Sequence, residues 1–431
     1  MSNERETEST PERVVVVGAG LAAVRTAEEL RRAGYEGELV LVGDETHLPY
    51  DRPPLSKEVL RGDRDDTTLR PSEFFGENRI ELMLGAAARS VDTASRTLTL
   101  SDGTELGYDE LVVATGLRPR RIPGLPDLAG VHVLRSLEDS RALREAIVPG
   151  ARALVVGAGF IGCEVAASLR AREVEVVLVE PQPTPLASVL GAEVGALVTR
   201  LHTAEGVDVR AGVGLSEIRG DGRVTSAVLG DGRVTSAVLG DGRVTSAVLG
   251  DGRVTSAVLG DGSEIDVDLV VLGIGSIPAT EWLEGSGVEV ENGVVCDGTG
   301  RTSTPHVWAV GDVASWQVPA GGRRRIEHWT NAGEQASVLA KTIMGVEAGA
   351  AAQVPYFWSD LYDIKIQGLG AVTADDTVHV VRDDGRKFLA YYERDGRFVG
   401  AVGGGLPALV MKSRAKIAAG APIDELLTAA V

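Results

Sequence analysis

The sequence predicts an α/β protein built on two Rossmann-like dinucleotide-binding units. Three observations carry this expectation. A strand, a glycine turn, a helix, a second strand and an acidic residue follow one another over residues 13–44; the same series recurs over residues 151–180; and two further apolar strands end in Thr-Gly and Gly-Asp turns, in residues 111–116 and 307–315. At 431 residues the chain is too long for one ordinary core, so two or three domains are expected.

The first series reads RVVVVGAGLAAVRTAEELRRAGYEGELVLVGDE. Its four valines predict a buried parallel strand, followed by a helix from Leu21 to about Arg32 and a second strand over residues 38–42. Gly18 permits the tight turn, Gly20 lets the backbone approach a pyrophosphate, and Ala23 allows the helix to pack closely on the strand. Asp44 stands where a carboxylate accepts from an adenosine ribose hydroxyl. The second series, ARALVVGAGFIGCEVAASLRAREVEVVLVE, carries the full G-x-G-x-x-G at Gly157, Gly159 and Gly162 and closes on Glu180. Glu180 suits a free ribose 2′-hydroxyl and repels a 2′-phosphate, and PQPTPLASVL after it offers no Arg or Lys to hold that phosphate. The nicotinamide donor is therefore expected to be NADH. In flavoproteins that hold two dinucleotides, strands ending in Thr-Gly and Gly-Asp close the FAD domain. That assigns FAD to the first cradle and its ribityl chain to Asp312, with a helix expected after the Gly-Asp.

Composition excludes several classes. The net charge of −19 argues against a nucleic-acid or anionic-membrane partner across the whole surface. The first dozen residues are polar, and no apolar run approaches a membrane span, so a cytoplasmic location is expected. Only Cys163 and Cys296 are present, which cannot build a disulfide framework or a cysteine-held cluster. A metal redox centre is thus expected on another molecule.

The decapeptide GDGRVTSAVL occurs four times in succession over residues 220–259. RVTSAVL alternates well enough for a strand, and a three-residue Gly-Asp-Gly loop would keep Val224, Ser226 and Val228 on one face with Val234, Ser236 and Val238. A marginally stable β-meander at the antiparallel sheet of the second domain is expected, with three of the four copies surplus to the fold.

Four segments, PYDRPPLSKE (49–58), GFIGCE (159–164), EHWTNAGEQA (327–336) and PYFWSDLYDIKIQGLG (355–370), make the chain resemble the oxygenase-coupled NADH-ferredoxin reductases, the family of putidaredoxin reductase and the biphenyl dioxygenase reductase. Rubredoxin reductases and apoptosis-inducing factor are similar at greater distance. The resemblance implies an FAD domain in residues 1–117 and 274–350, an NADH domain inserted at 118–273, and a C-terminal α+β domain at 351–431 that covers the flavin. It implies FAD contacts at Gly18, Gly20, Leu21, Ala22, Asp44, Arg52, Lys57 and Ala87, at Ala114, Thr115, Gly116 and Arg135, and at Gly311, Asp312, Glu327, His328 and Trp329. NADH contacts are implied at Gly157, Gly159, Phe160, Ile161, Gly162, Glu164 and Glu180, and at Gly273, Ile274 and Gly275. Lys57 and Glu164 are implied to be catalytic, paired near the flavin's reactive nitrogen.

These segments also have a physical reading of their own. Pro53 and Pro54 give a stiff lead into a helix with Ser56 as its N-cap, so that Lys57 points in a defined direction and can stabilise negative charge on the reduced flavin. Read alone, Glu164 could equally be a solvated helix residue. Hydride transfer needs ring stacking, with reacting atoms roughly 3–3.5 Å apart, and no side-chain proton relay. Consistently, no nucleophile–base constellation is found, and His47, His132, His202, His306, His328 and His379 lack metal spacing. His328 stands out for its place beside Glu327 and Trp329.

Without a C-x-x-C, electrons must leave to an external acceptor. An acidic ferredoxin is the expected partner, with rubredoxin as a second candidate, and the chain is expected to be a monomer or weak homodimer. Trp358 resembles the aromatic near the ferredoxin docking face. Lys341, Lys365, Lys412, Arg414, Lys416 and the run 323–325 are candidate docking cations. The expected function is an NADH-dependent ferredoxin reductase serving a haem-thiolate monooxygenase or a ring-hydroxylating dioxygenase. A rubredoxin reductase and a non-enzymatic NADH-sensing flavoprotein are the alternatives.

Overall fold

A computed structural model describes residues 10–122, 129–220, 224–230, 265–318, 321–348 and 354–430. The chain divides into two compact units, one of residues 1–51, 67–118 and 277–355, the other of residues 52–66, 119–276 and 356–431. Both are α/β.

The first unit is organised on a five-stranded parallel sheet in the order Val307–Ala309, Glu110–Val113, Arg13–Val17, Glu38–Gly43, Ile80–Leu84. The valine run at its centre is buried on both faces, which is why it reads as an unbroken apolar stretch. The Leu21–Arg32 helix lays Ala23, Val24, Ala27 and Leu30 on the sheet and packs beside the Trp329–Ile343 helix. At its C-terminal end Arg31 donates to the carbonyls of Tyr35, Gly37, Asn78 and Arg79, tying the helix exit to two neighbouring turns. The helix expected after Gly311-Asp312 is not formed. A single 3-10 turn, Gly311–Val313, leads straight into the strand Ala314–Gln317, because Ala314–Trp316 pair in parallel with Val294–Cys296 and are claimed by that sheet.

In the second unit a parallel sheet runs Asp208–Ala211, Glu175–Glu180, Arg152–Val156, Leu269–Leu272, Val131–His132. A five-stranded antiparallel sheet follows in the order Tyr356–Leu361, Ile364–Gly370, Arg397–Gly404, Phe388–Arg394, Thr377–Asp383. Its inner face, with Phe357, Leu361, Ile366 and Phe388, shares one hydrophobic cluster with Cys163, Val165, Leu169, Leu197 and Leu201 of the neighbouring helices. Within that cluster His202 is fully buried and its Nδ1 lies 2.7 Å from the hydroxyl of Tyr362. Burial pushes His202 down from 6.5 to about 4. The unfolded chain therefore binds the proton more tightly, and the stability held by neutral His202 is complete above pH ~6.5 and lost as pH falls toward ~4. Going from pH 7 to 5 should cost about 2 kcal/mol through this residue. Denaturant titrations at the two pH values should show His202→Gln losing correspondingly less than the wild type.

The expected helix begun by Ser56 is also corrected. Pro53–Ser56 is a 3-10 turn, the helix proper is Glu58–Arg61, and the residue at its N-cap position is Lys57. Ser56 closes the 3-10 turn one residue before the N-cap position, and its hydroxyl donates to Glu164.

Of the decapeptide tandem, only the first copy falls largely among the described residues. Gly214–Gly220 pairs antiparallel with Val224–Gly230, which pairs in turn with Ile265–Asp266. Gly220 faces Val224, so the strand takes in the first glycine of the expected Gly-Asp-Gly loop, and the rest of that loop lies outside the described residues. The expectation for copies two to four, including the shared face with Val234, Ser236 and Val238, lies outside the described residues. The first copy already pairs with the strand that leads out of the tandem. In a chain shortened by three copies, continuing the pairs Ser226–Asp266 and Ala227–Ile265 leaves Gly-Asp-Gly as a three-residue loop after Leu229, a favoured hairpin length. Deleting residues 220–249 should therefore leave NADH oxidation by an artificial acceptor within about two-fold of the full chain, measured by steady-state assay. A large loss would assign the tandem a function.

Candidate functional site

The first unit holds one glycine cradle. Gly18 has φ +122° and its amide donates to the carbonyl of Val42, while a Cβ there would lie 2.3 Å from the carbonyl oxygen of Ala114. Only glycine lets these strand ends meet. Gly20 sits at the N-cap of the Leu21–Arg32 helix with no side-chain cap, and a Cβ on it would meet nothing within 4 Å. The helix amides of the first turn thus open onto free space, as a phosphate site requires. Gly311, at φ +77°, closes on Ala22, where a Cβ would come within 2.7 Å of the alanine methyl. Its amide donates to Oε1 of buried Gln335 at 2.8 Å. Thr115 donates to the carbonyl of Ala279 at 2.7 Å and fixes the Thr-Gly turn before Gly116 at φ +67°. Asp44 is exposed just past the strand end, and Ala87 exchanges hydrogen bonds with Ser101. Trp329 donates its indole N–H to Asp51 at 2.8 Å, with the Arg25 guanidinium 5.6 Å from the ring centroid. Glu327 pairs with Arg325, and burial lowers the His328 pKa, opposed by the charge of Glu327.

Sequence reasoning passed over Asp51 and Gln335. Both lie inside the quoted segments, and neither residue type announces that its partner is an indole or a turn amide from a distant part of the chain.

The second unit repeats the cradle. Gly157, at φ +92°, would carry a Cβ 2.4 Å from the carbonyl oxygen of Gly273, and a Cβ on Gly162 would lie 1.9 Å from that of Gly157. Gly159 stands at the open N-cap of the Phe160–Ala171 helix. Glu180, at the end of its strand, accepts from the amides of Ala158 at 2.6 Å and Gln182 at 3.0 Å. Its carboxylate is locked to the glycine turn and keeps further lone pairs for a ribose hydroxyl. Ile161 is exposed on the first helical turn and Phe160 packs against Phe357, while Ile274 and Gly275 follow the adjacent strand.

This unit also contains Arg52, Lys57, Arg135 and Glu164. Arg52 donates to the carbonyl of Arg135 at 2.6 Å, and the Arg135 amide is held by Asp139 of a capping box. The Lys57 ammonium lies 2.9 Å from Oε2 of Glu164, with side chains only 6% and 5% exposed. Glu164 is thus not a solvated helix residue. Among the described residues it is the only partner of Lys57, so a buried ammonium retains donors for an anionic group. Among the candidate docking cations, Lys341, Lys412 and Lys416 are exposed, Lys365 pairs with Asp360, and Arg323 and Arg324 are exposed where Arg325 is not.

Two glycine cradles at helix N-termini, the second with the Glu180 carboxylate bound to its glycine turn, precede the comparisons with known proteins. Residues 12–336 match the family described as pyridine nucleotide-disulphide oxidoreductase, and residues 356–430 match that described as reductase C-terminal. The chain belongs to the ferredoxin reductase branch of the pyridine nucleotide-disulphide oxidoreductases. Its relatives include the benzene 1,2-dioxygenase system ferredoxin--NAD(+) reductase subunit of Pseudomonas putida, 35% identical over 83% of this chain and 80% of that one. The anthranilate 1,2-dioxygenase system ferredoxin--NAD(+) reductase component of Burkholderia cepacia is 36% identical over 95% of each. Among solved structures, the reductase of the covalent putidaredoxin reductase-putidaredoxin complex superposes with a TM-score of 0.85 at 31% identity, over 96% of this chain and 95% of that one. Among the described residues no group of His, Cys, Asp and Glu is arranged to hold a metal, and no helix is long and apolar enough to cross a membrane.

Proposed function

We propose that the chain is an FAD-dependent reductase that accepts a hydride from NADH and delivers electrons one at a time to a ferredoxin of an oxygenase system. The observation that carries this reading is the pair of open glycine cradles in one member of the ferredoxin reductase family. When bound, FAD supplies the conversion from a two-electron donor to a one-electron acceptor. The protein's part is to bind, orient and polarise. Gly18, Gly20 and Gly311 shape the flavin nucleotide's cradle, and Gly157, Gly159 and Gly162 that of NADH. Asp312, Thr115 and Trp329 orient the flavin, and Arg52 and Arg135 are further contacts to it. Lys57 offers its spare N–H groups to the electron-rich reduced ring, and Glu164 holds Lys57 in place. We assign FAD binding to residues 1–117 and 274–350, NADH binding to 118–273, and the cover and carrier face to 351–431, where Lys412 and Lys416 meet an acidic ferredoxin.

Stopped-flow mixing with NADH should bleach the flavin within a single fast phase, and the reduced protein should then reduce a [2Fe-2S] ferredoxin. Failure with every ferredoxin tested, while an artificial acceptor still works, would overturn the carrier assignment. NADPH should be at least 100-fold poorer than NADH in kcat/KM, because its 2′-phosphate would be pressed against the Glu180 carboxylate, a like-charge contact costing several kcal/mol. Equal efficiency of the two nucleotides would remove the role given to Glu180.

A further inference from the structure

Ser359 is a polar residue where packing asks for none. It lies on the Tyr356–Leu361 strand between Phe357 and Leu361 on the same inward face, and it is 1% exposed. A buried hydroxyl is costly unless it is hydrogen-bonded. Its partner is Oε1 of Glu164, 2.8 Å away. The other oxygen of that carboxylate, Oε2, takes both the Lys57 ammonium and the hydroxyl of Ser56. Ser56 is itself clamped. Its carbonyl accepts from Ser168 at 2.7 Å, and the carbonyl of Leu55 before it accepts from Ser140 at 2.7 Å. The main chain leading into Lys57 is thus pinned from two helices, while the carboxylate facing Lys57 is pinned from the C-terminal sheet.

We propose that Ser359 is a positioning residue for hydride entry: by holding Oε1 of Glu164, it leaves Lys57 sharing one carboxylate oxygen and free to present its remaining N–H groups to the reduced flavin. The C-terminal sheet thereby sets the charge that Lys57 has to offer. The proposal rests on the reading that Lys57 and Glu164 act at the flavin. A buried carboxylate oxygen deprived of its donor seeks another, and the Lys57 ammonium, already 2.9 Å from Oε2, has N–H groups to spare. Without Ser359, the carboxylate turns both oxygens to the ammonium and draws it away from its task.

The test is a set of variants carrying bound FAD, read by stopped-flow reduction with NADH and by the midpoint potential of the flavin. Ser359→Ala should keep FAD and its affinity for NADH, slow flavin reduction about tenfold, and move the potential to a more negative value. Ser359→Thr, which keeps a hydroxyl, should recover most of the rate. Glu164→Gln should move the potential the opposite way, because it releases the ammonium, and in that background Ser359→Ala should have no further effect on potential. A structural perturbation would produce neither the opposite signs nor the loss of effect in the double variant. If Ser359→Ala matches the wild type in rate and potential while Glu164→Gln does not, the inference fails alone. If Glu164→Gln and Lys57→Met also leave both unchanged, the underlying reading of the pair fails. A Ser359→Ala protein unable to hold FAD would assign Ser359 to structure and overturn the inference as well.

Discussion

Gly157→Ala should give a yellow protein that NADH reduces only at far higher concentration. The substitution meets two independent obstacles. At φ +92° an L side chain costs roughly 1–2 kcal/mol, and the new Cβ would stand 2.4 Å from the carbonyl oxygen of Gly273, closer than side-chain carbons approach backbone. Relieving that contact means separating the Arg152–Val156 and Leu269–Leu272 strand ends, where Gly273 donates to Val156 at 2.7 Å and Gly157 donates to Val179 at 2.8 Å. Overpacking of this kind adds about 1–3 kcal/mol. The sum, about 2–5 kcal/mol, does not exceed the usual 5–15 kcal/mol stability of a domain, so folding should survive. The cradle must still splay, moving the open N-terminus at Gly159 and the Glu180 lock at Ala158 together. NADH affinity should fall at least 100-fold, about 2.7 kcal/mol, in a titration followed by flavin reduction. The FAD content should hold, because the cradle proposed for the flavin nucleotide belongs to the other compact unit. Retained NADH affinity would show that the second cradle is not where the nicotinamide nucleotide binds.

The contrast between what could and could not be read from the sequence follows the range of the physics. The cradles were legible because a left-handed turn, a close strand crossing and an uncapped helix start each demand glycine at a fixed spacing. The strand and helix bounds around them followed, with Leu21–Arg32 formed where the glycine turn places its start. The expectations that failed were local rules overruled by distant partners. Ser56 has an N-cap residue type at a plausible N-cap position, yet it lies within the 3-10 turn, its hydroxyl donating to Glu164 far along the chain. The segment after Gly311-Asp312 has helical freedom, yet Ala314–Gln317 is recruited as a strand by Gly293–Cys296. Asp51, Gln335 and Ser359 carried no sequence signal of their own, since a single polar residue near an aromatic or a glycine is ordinary until the fold supplies its partner. The pairing of Lys57 with Glu164 was legible only through resemblance, because nothing in either residue's spacing links them.

Removing the ammonium of that pair should have the largest kinetic effect of any single side-chain change in this site. Lys57→Met keeps the length and apolar body of the side chain and deletes the charge. NADH-driven flavin reduction should slow about 100-fold, equivalent to about 2.7 kcal/mol of lost stabilisation as negative charge arrives on the ring. The flavin potential should become more negative. A second consequence must be separated from the first. Lys57 and Glu164 are both nearly fully buried, so deleting one partner strands the other, a change that typically destabilises by 3–5 kcal/mol. Ser56 and Ser359 still donate to the Glu164 carboxylate and hold the loss toward the lower end of that range. Pairing Lys57→Met with Glu164→Gln removes the stranded charge, so the double variant should regain thermal stability over Lys57→Met while remaining as slow in flavin reduction. Recovery of rate along with stability would mean that Lys57 serves packing rather than charge, and that the flavin's electrostatic partner must be sought elsewhere in the chain.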